Sequence, residues 1–125
     1  MIEQKIGRKT ASSTFTVELG KVKEFALALG DSHPDYQTGD AIPPTFATVI
    51  DFWSGESSMA SLLELNMEKV LHGGQEFEYL GKIRPGDVIT ASGEVENAYS
   101  KAGMNFYIVR KTYQNQQGKT VLISR

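Results

Sequence analysis

From Thr14 to Leu19 polar and apolar residues alternate, which places Phe15, Val17 and Leu19 on one face of a short strand. The period then lengthens. Val22, Phe25, Ala26 and Leu29 follow the i, i+3, i+4, i+7 spacing of an amphipathic helix, and Gly30, free to take positive φ, is a natural stop. Between Ser32 and Pro44 the chain is rich in Pro, Gly and Asp, which predicts an irregular loop of the kind that carries functional side chains. Pro43-Pro44-Thr45 opens an apolar helical segment running from Phe46 to Trp53, with Pro44 suited to the first turn. Nearly every side of that segment is apolar, so a buried helix is expected, with Phe46, Val49, Ile50, Phe52 and Trp53 in the core. Ser54-Gly55 should break it before a weaker helical stretch around Met59 to Leu65.

Beyond Leu65 the period is that of strands: Gln75 to Tyr79, Val88 to Val95, Met104 to Tyr113 and Thr120 to Ser124. Arg84-Pro85-Gly86-Asp87 has the central Pro-Gly pair of a type II turn, and Gln114 to Lys119 reads as a hairpin loop. Strand, helix, buried helix and then four turn-linked strands predict an α+β fold, because a strongly apolar helix needs a sheet that curls around it.

Composition narrows the function. With 125 residues and no cysteine, one domain over 1–125 is expected, without disulfides or thiolate metal sites, in keeping with a reducing cytoplasm. Met1 to Lys5 lacks the apolar core of a secretory signal and no apolar run is long enough to span a membrane, so a soluble protein without a membrane partner is expected. A formal charge of −2 without a basic block argues against a nucleic-acid partner. The elbow of serine hydrolases, the zinc-protease helix motif, the P-loop and the dinucleotide-binding glycine pattern are all missing.

Candidate chemistry begins at Leu29-Gly30-Asp31-Ser32-His33-Pro34-Asp35-Tyr36. The stretch resembles the Gly-Asp-x-Asn-Pro-(Leu/Ile)-His loop of MaoC-like, hot-dog-fold enoyl-thioester hydratases and 3-hydroxyacyl-thioester dehydratases. Gly30, Asp31 and Pro34 match; His33 stands at the Asn position and Tyr36 at that of the catalytic His. Further matching segments are Gly20 to Ala26, Ile42-Pro43-Pro44-Thr45-Phe46, Leu71-His72-Gly73-Gly74 to Tyr79, and Ile83 to Val88, so the resemblance spans about Gly7 to Arg125. It is strongest to the N-terminal half-domain of the superfamily and to the substrate-binding subunit of hydroxyacyl-ACP dehydratases. The resemblance implies a curved antiparallel sheet wrapped around a central helix, no cofactor, and acyl-CoA or acyl-carrier protein as ligand. It also implies a homodimer, or a heterodimer with a catalytic MaoC-like subunit.

In that family the loop Asp and His move the protons, and a backbone N–H at the start of the central helix helps to hold the enolate oxygen. Asp31 therefore reads either as a catalytic carboxylate or as a turn residue bonded to its own backbone. His33 reads as a substitute base or as a polar capping residue. Tyr36 is a poor base, since an unperturbed phenol has a pKa of about 10; pocket wall suits it better. By motif position Thr45 offers the oxyanion N–H, or is simply a helix-start residue. His72, beside Gly73-Gly74, reads as substrate-binding, interface-forming or structural, and Asp87 as a strand-start residue. Lys82, Arg84, Lys101, Arg110 and Lys111 are either contacts for CoA phosphates or solvated sheet-edge charges. The implied function is an acyl-thioester-binding subunit of a (3R)-hydroxyacyl dehydratase or enoyl hydratase whose partner supplies the Asp/His pair. The alternatives are a self-sufficient hydratase using Asp31 and a non-enzymatic acyl-CoA-binding hot dog; a thioesterase is permitted by the fold but disfavoured by the loop.

Overall fold

The structure, a computed structural model, describes residues 2–53 and 63–125. Strand β1 (Ser13–Thr16) leads into helices α1 (Leu19–Leu29), α2 (Pro34–Thr38) and α3 (Ala47–Phe52). Strands β2 (Phe77–Tyr79), β3 (Val88–Lys101), β4 (Met104–Gln114) and β5 (Thr120–Ser124) complete the described elements. All five strands join one antiparallel sheet in the order β1-β3-β4-β5-β2.

The inner face of the sheet supplies Ile89, Ala91, Tyr113 and Leu122, which close on Phe46, Ala47 and Ile50 around α3 and on Val22 of α1. Phe46 is the hub: Phe15 and Phe25 meet its ring edge-on, with centroids 6.3 and 5.8 Å away. Each such fully buried side chain contributes roughly 1.5–3 kcal/mol. The expected turn at Arg84–Asp87 is present. Asp87 N–H donates to the Arg84 carbonyl at 3.0 Å, and Gly86 takes the φ of 97° that a type II turn requires. Asp87 accepts from the Arg84 N–H, fixing the start of β3 as expected.

Four expectations are corrected. Ser32 to Pro44 is not wholly irregular, because α2 forms inside it. Strand β3 runs on past Val95 to Lys101, continuing after a bulge between Val95 and Asn97. Leu29, expected on the buried stripe of α1, is exposed, and Val22 and Ala26 alone are fully buried on that helix. Phe52 and Trp53, expected in the core, are 76% and 59% exposed, so α3 buries one side and not all of them. The expected break at Ser54-Gly55 and most of the helical stretch around Met59 to Leu65 lie outside the described residues.

One polar cluster ties α3 to the sheet. The fully buried Tyr113 donates its hydroxyl to Asp51 Oδ1 at 2.6 Å and lies 3.3 Å from Ser124 Oγ, while Lys111 Nζ pairs with Asp51 Oδ2 at 3.2 Å. Burial, and then the Asp51 charge, push the Tyr113 phenol well above its usual pKa.

Replacing Tyr113 by Phe should lower stability in urea titrations by about 2 kcal/mol, the range for a buried hydrogen bond to a charged group. Lys111→Met, which breaks a half-exposed ion pair, should cost less than about 1 kcal/mol. Above about pH 10 the unfolded phenol has lost its proton while the native one keeps it, so stability falls as pH rises. That alkaline loss should be shallower in Tyr113→Phe than in the wild type.

Candidate functional site

Helix α1 stops at Gly30, whose φ of 72° is the left-handed value, and the next N–H, of Asp31, reaches back to the Ala26 carbonyl at 3.0 Å. The chain then folds on itself. Asp31 Oδ1 accepts from the His33 N–H at 3.0 Å, and His33 Nδ1 accepts from the Asp35 N–H at 3.2 Å. His33 is thereby the N-cap of α2, with Pro34 in the first turn, and Gly39 at a φ of 86° ends the helix. The Asp35 carbonyl takes the N–H groups of Gly39 and Asp40, both at 3.0 Å, which fixes the exit from α2. Tyr36 turns inward against the core, its ring centroid 5.5 Å from that of His33.

Asp31, His33 and Tyr36 thus share one compact loop. Asp31 and His33 are exposed, and the polar atoms that could face each other are engaged with backbone N–H groups instead. No carboxylate–imidazole hydrogen bond joins Asp31 to His33 among the described residues.

Thr45 lies at the bend before α3. The Phe46 N–H donates to the Pro43 carbonyl at 2.9 Å, whereas the Thr45 N–H has no acceptor among the described residues. The Thr45 carbonyl takes both the N–H and the hydroxyl of Thr48, at 3.0 and 2.8 Å. On its other side, the Pro44 carbonyl accepts the hydroxyl of Tyr79. Tyr79 is 40% exposed on β2, and burial of the rest of its side chain raises its pKa, which favours the neutral, donating form. His72 is exposed in the lead-in to β2, and no hydrogen bond or ion pair joins it to the loop or to Thr45 among the described residues.

The candidate cations disperse. Lys111 is engaged by Asp51, while Arg110 points to the other face of the sheet, into a groove with Lys9, Thr10, Ser92, Glu94 and Thr112. Lys82 and Arg84 are exposed on the connection from β2 to β3, and Lys101 is exposed at the hairpin turn.

The profile of the FAS1-like dehydratase domain region matches residues 4–124. The chain belongs to that family. A UPF0336 protein of Streptomyces griseus is 31% identical over 97% of this chain and 89% of its own length. Among solved structures, the HadBC (3R-hydroxyacyl-ACP dehydratase) complex of Mycobacterium tuberculosis superposes with a TM-score of 0.79 at 19% identity. It covers 96% of this chain and 93% of that one. A MaoC-like dehydratase of Rhodospirillum rubrum gives 0.66 at 18% identity, over 95% of this chain and 87% of that one. The fold is therefore the α+β hot dog expected from the loop motif, and it is shared with these dehydratase structures. No described helix is long and apolar enough to cross a membrane.

In this FAS1-like dehydratase-region chain the His33 substitution has a local explanation. At the motif's Asn position it does what an Asn before Pro can do, offering a side-chain acceptor to the N–H two residues on. Around α3, Asp51 and Tyr113 lie outside the matching segments, and Tyr79 closes one of them without a role assigned to it. The only hint in the sequence is that Tyr79 and Tyr113 hold inward strand positions, where a phenol needs a partner for its hydroxyl.

If capping is what His33 contributes to the fold, His33→Asn should leave stability within about 0.5 kcal/mol and His33→Ala should lose about 1 kcal/mol. Denaturant midpoints at unchanged slope provide the measurement.

Proposed function

We propose that this chain is the acyl-thioester-binding subunit of a (3R)-hydroxyacyl dehydratase or enoyl hydratase, completed by a second hot-dog subunit that carries the Asp/His pair. The observation that carries this reading is the loop. Tyr36 replaces the motif's His, Asp31 accepts from the His33 backbone N–H and the His33 ring from that of Asp35, and no hydrogen bond joins the Asp31 carboxylate to the His33 imidazole among the described residues. Dehydration of a 3-hydroxyacyl thioester requires removal of the α-proton, protonation of the departing hydroxyl and stabilisation of the enolate oxygen. In this reading the chain provides the last of these through the N–H of the exposed Thr45, which has no acceptor among the described residues. Tyr36 forms the pocket wall, and both proton transfers belong to the partner.

The ligand is acyl-CoA or acyl-carrier protein. That HadBC is itself a complex and a (3R)-hydroxyacyl-ACP dehydratase supports the partnership. Edge strand β2 supports it as well: Glu76 and Arg125 exchange both backbone hydrogen bonds, at 2.7 and 3.0 Å, which turns the N–H and C=O of Phe77 outward for a neighbouring strand. His72, in the lead-in to that edge, belongs to the same interface or to the ligand passage.

Hydration of crotonyl-CoA by the chain alone should be orders of magnitude slower than by the chain mixed with a MaoC-like protein encoded beside it. In the mixture, Asp31→Asn and His33→Ala should each change the rate by less than about tenfold, about 1.4 kcal/mol of barrier. A fast reaction of the chain alone that Asp31→Asn abolishes would establish the self-sufficient hydratase instead. Light scattering at micromolar concentration should give a dimer mass for the isolated chain; a strict monomer would count against an assembly built on the β2 edge.

A further inference from the structure

We propose that Tyr79 is a positioning residue for the Thr45 N–H, orienting that donor and strengthening it through the peptide group that the two residues share. The inference rests on the reading that the Thr45 N–H meets the thioester oxygen, and its first test does not depend on that reading.

The Pro44 carbonyl and the Thr45 N–H are the two ends of one amide. Because the amide is conjugated, a hydrogen bond to its oxygen draws electron density from its nitrogen and makes the N–H a better donor. The described peptide bonds are all trans, so the C=O and N–H of this unit point in opposite directions. A hydroxyl holding the oxygen therefore aims the N–H away from Tyr79. The next peptide is held as well, since the Thr45 carbonyl is taken twice by Thr48, at 3.0 and 2.8 Å. Thr45 thus sits between two held peptide planes, and its own N–H has no acceptor among the described residues.

Tyr79 is suited to this role. Its backbone is held in β2 opposite Leu122, and its hydroxyl already meets the Pro44 carbonyl without a ligand. Burial raises the pKa of its phenol, which favours the protonated, donating form. A tyrosine that only braced β2 against α3 would need a hydrogen-bond partner but would not need this particular carbonyl.

Amide NMR of the full chain without ligand tests the coupling directly. In Tyr79→Phe the Thr45 nitrogen and proton signals should both move upfield, while incorporation of fluorotyrosine at position 79, a stronger donor, should move them downfield. Phe77→Leu, which disturbs the same strand but not the hydroxyl, should leave them in place. A Thr45 amide that is unmoved in Tyr79→Phe, in a spectrum otherwise showing the native fold, overturns the proposal whatever the chain binds.

The second arm uses sorbyl-CoA, whose conjugated carbonyl absorbs at longer wavelength when it accepts a hydrogen bond. Binding to the wild type should give a red shift, and Tyr79→Phe should bind within about threefold of the wild-type affinity but with a smaller shift. Equal shifts in the two proteins overturn the role of Tyr79 and leave the Thr45 donor standing. Binding without a shift in the wild type overturns both.

Discussion

The orientation of helix α3 is the constraint on which the rest of the site depends, and two tyrosines of the sheet set it. Hydrophobic burial is non-directional, and a helix with Phe46, Ala47 and Ile50 against a sheet could satisfy it at more than one rotation. Tyr113 removes that freedom at the far end by holding Asp51 at 2.6 Å, and Tyr79 removes it at the near end by holding the Pro44 carbonyl. In the pairing register Tyr79 faces Leu122 and Leu122 faces Tyr113, so both pins stand in one row across β2, β5 and β4. Of the two, the Tyr113 hydroxyl is fully buried, and a buried polar group left unpaired costs about 1–3 kcal/mol. Specificity of packing and placement of the Thr45 peptide thus have the same cause.

The loop before α3 is built for stiffness. Two left-handed glycines, an Asp turn, a His cap and a proline fix its path within a dozen residues, and each polar side chain named in the motif answers a backbone group. In a hydratase the same loop has to present a carboxylate and an imidazole to a substrate. Here Tyr36 sends a ring into the core from the position of that imidazole, which strengthens packing. In the proposed reading this loop walls the site and leaves the proton transfers to a second subunit.

Local signals in the sequence go far for the sheet and for α1. Alternation located β4 and β5, Gly30 ended α1 where positive φ was needed, and the Pro85-Gly86 pair formed its turn. Helix α2 escaped because its five residues are too few to show a period, and because Pro34 and Gly39, read as loop punctuation, are its first turn and its cap. Phe52 and Trp53 misled because an apolar run does not say which side of a helix the sheet will cover. The motif singles out Asp31, His33, Tyr36 and Thr45, and the structure places the first three in one loop and Thr45 at the bend before α3. The partners that hold α3 were not legible: Tyr79 is separated from Pro44 by 35 positions and Tyr113 from Asp51 by 62, and no local period encodes such pairs.

The central claim is that the chain holds a thioester without a base of its own. It is tested most directly by incubating the isolated chain, at a concentration where calorimetry shows the ligand bound, with (3R)-hydroxybutyryl-CoA in deuterated water and following the α-hydrogen by mass spectrometry. The account predicts bound ligand with deuterium uptake no faster than in buffer, and rapid uptake once the partner subunit is added. Stereospecific α-deuteration by the chain alone would contradict it.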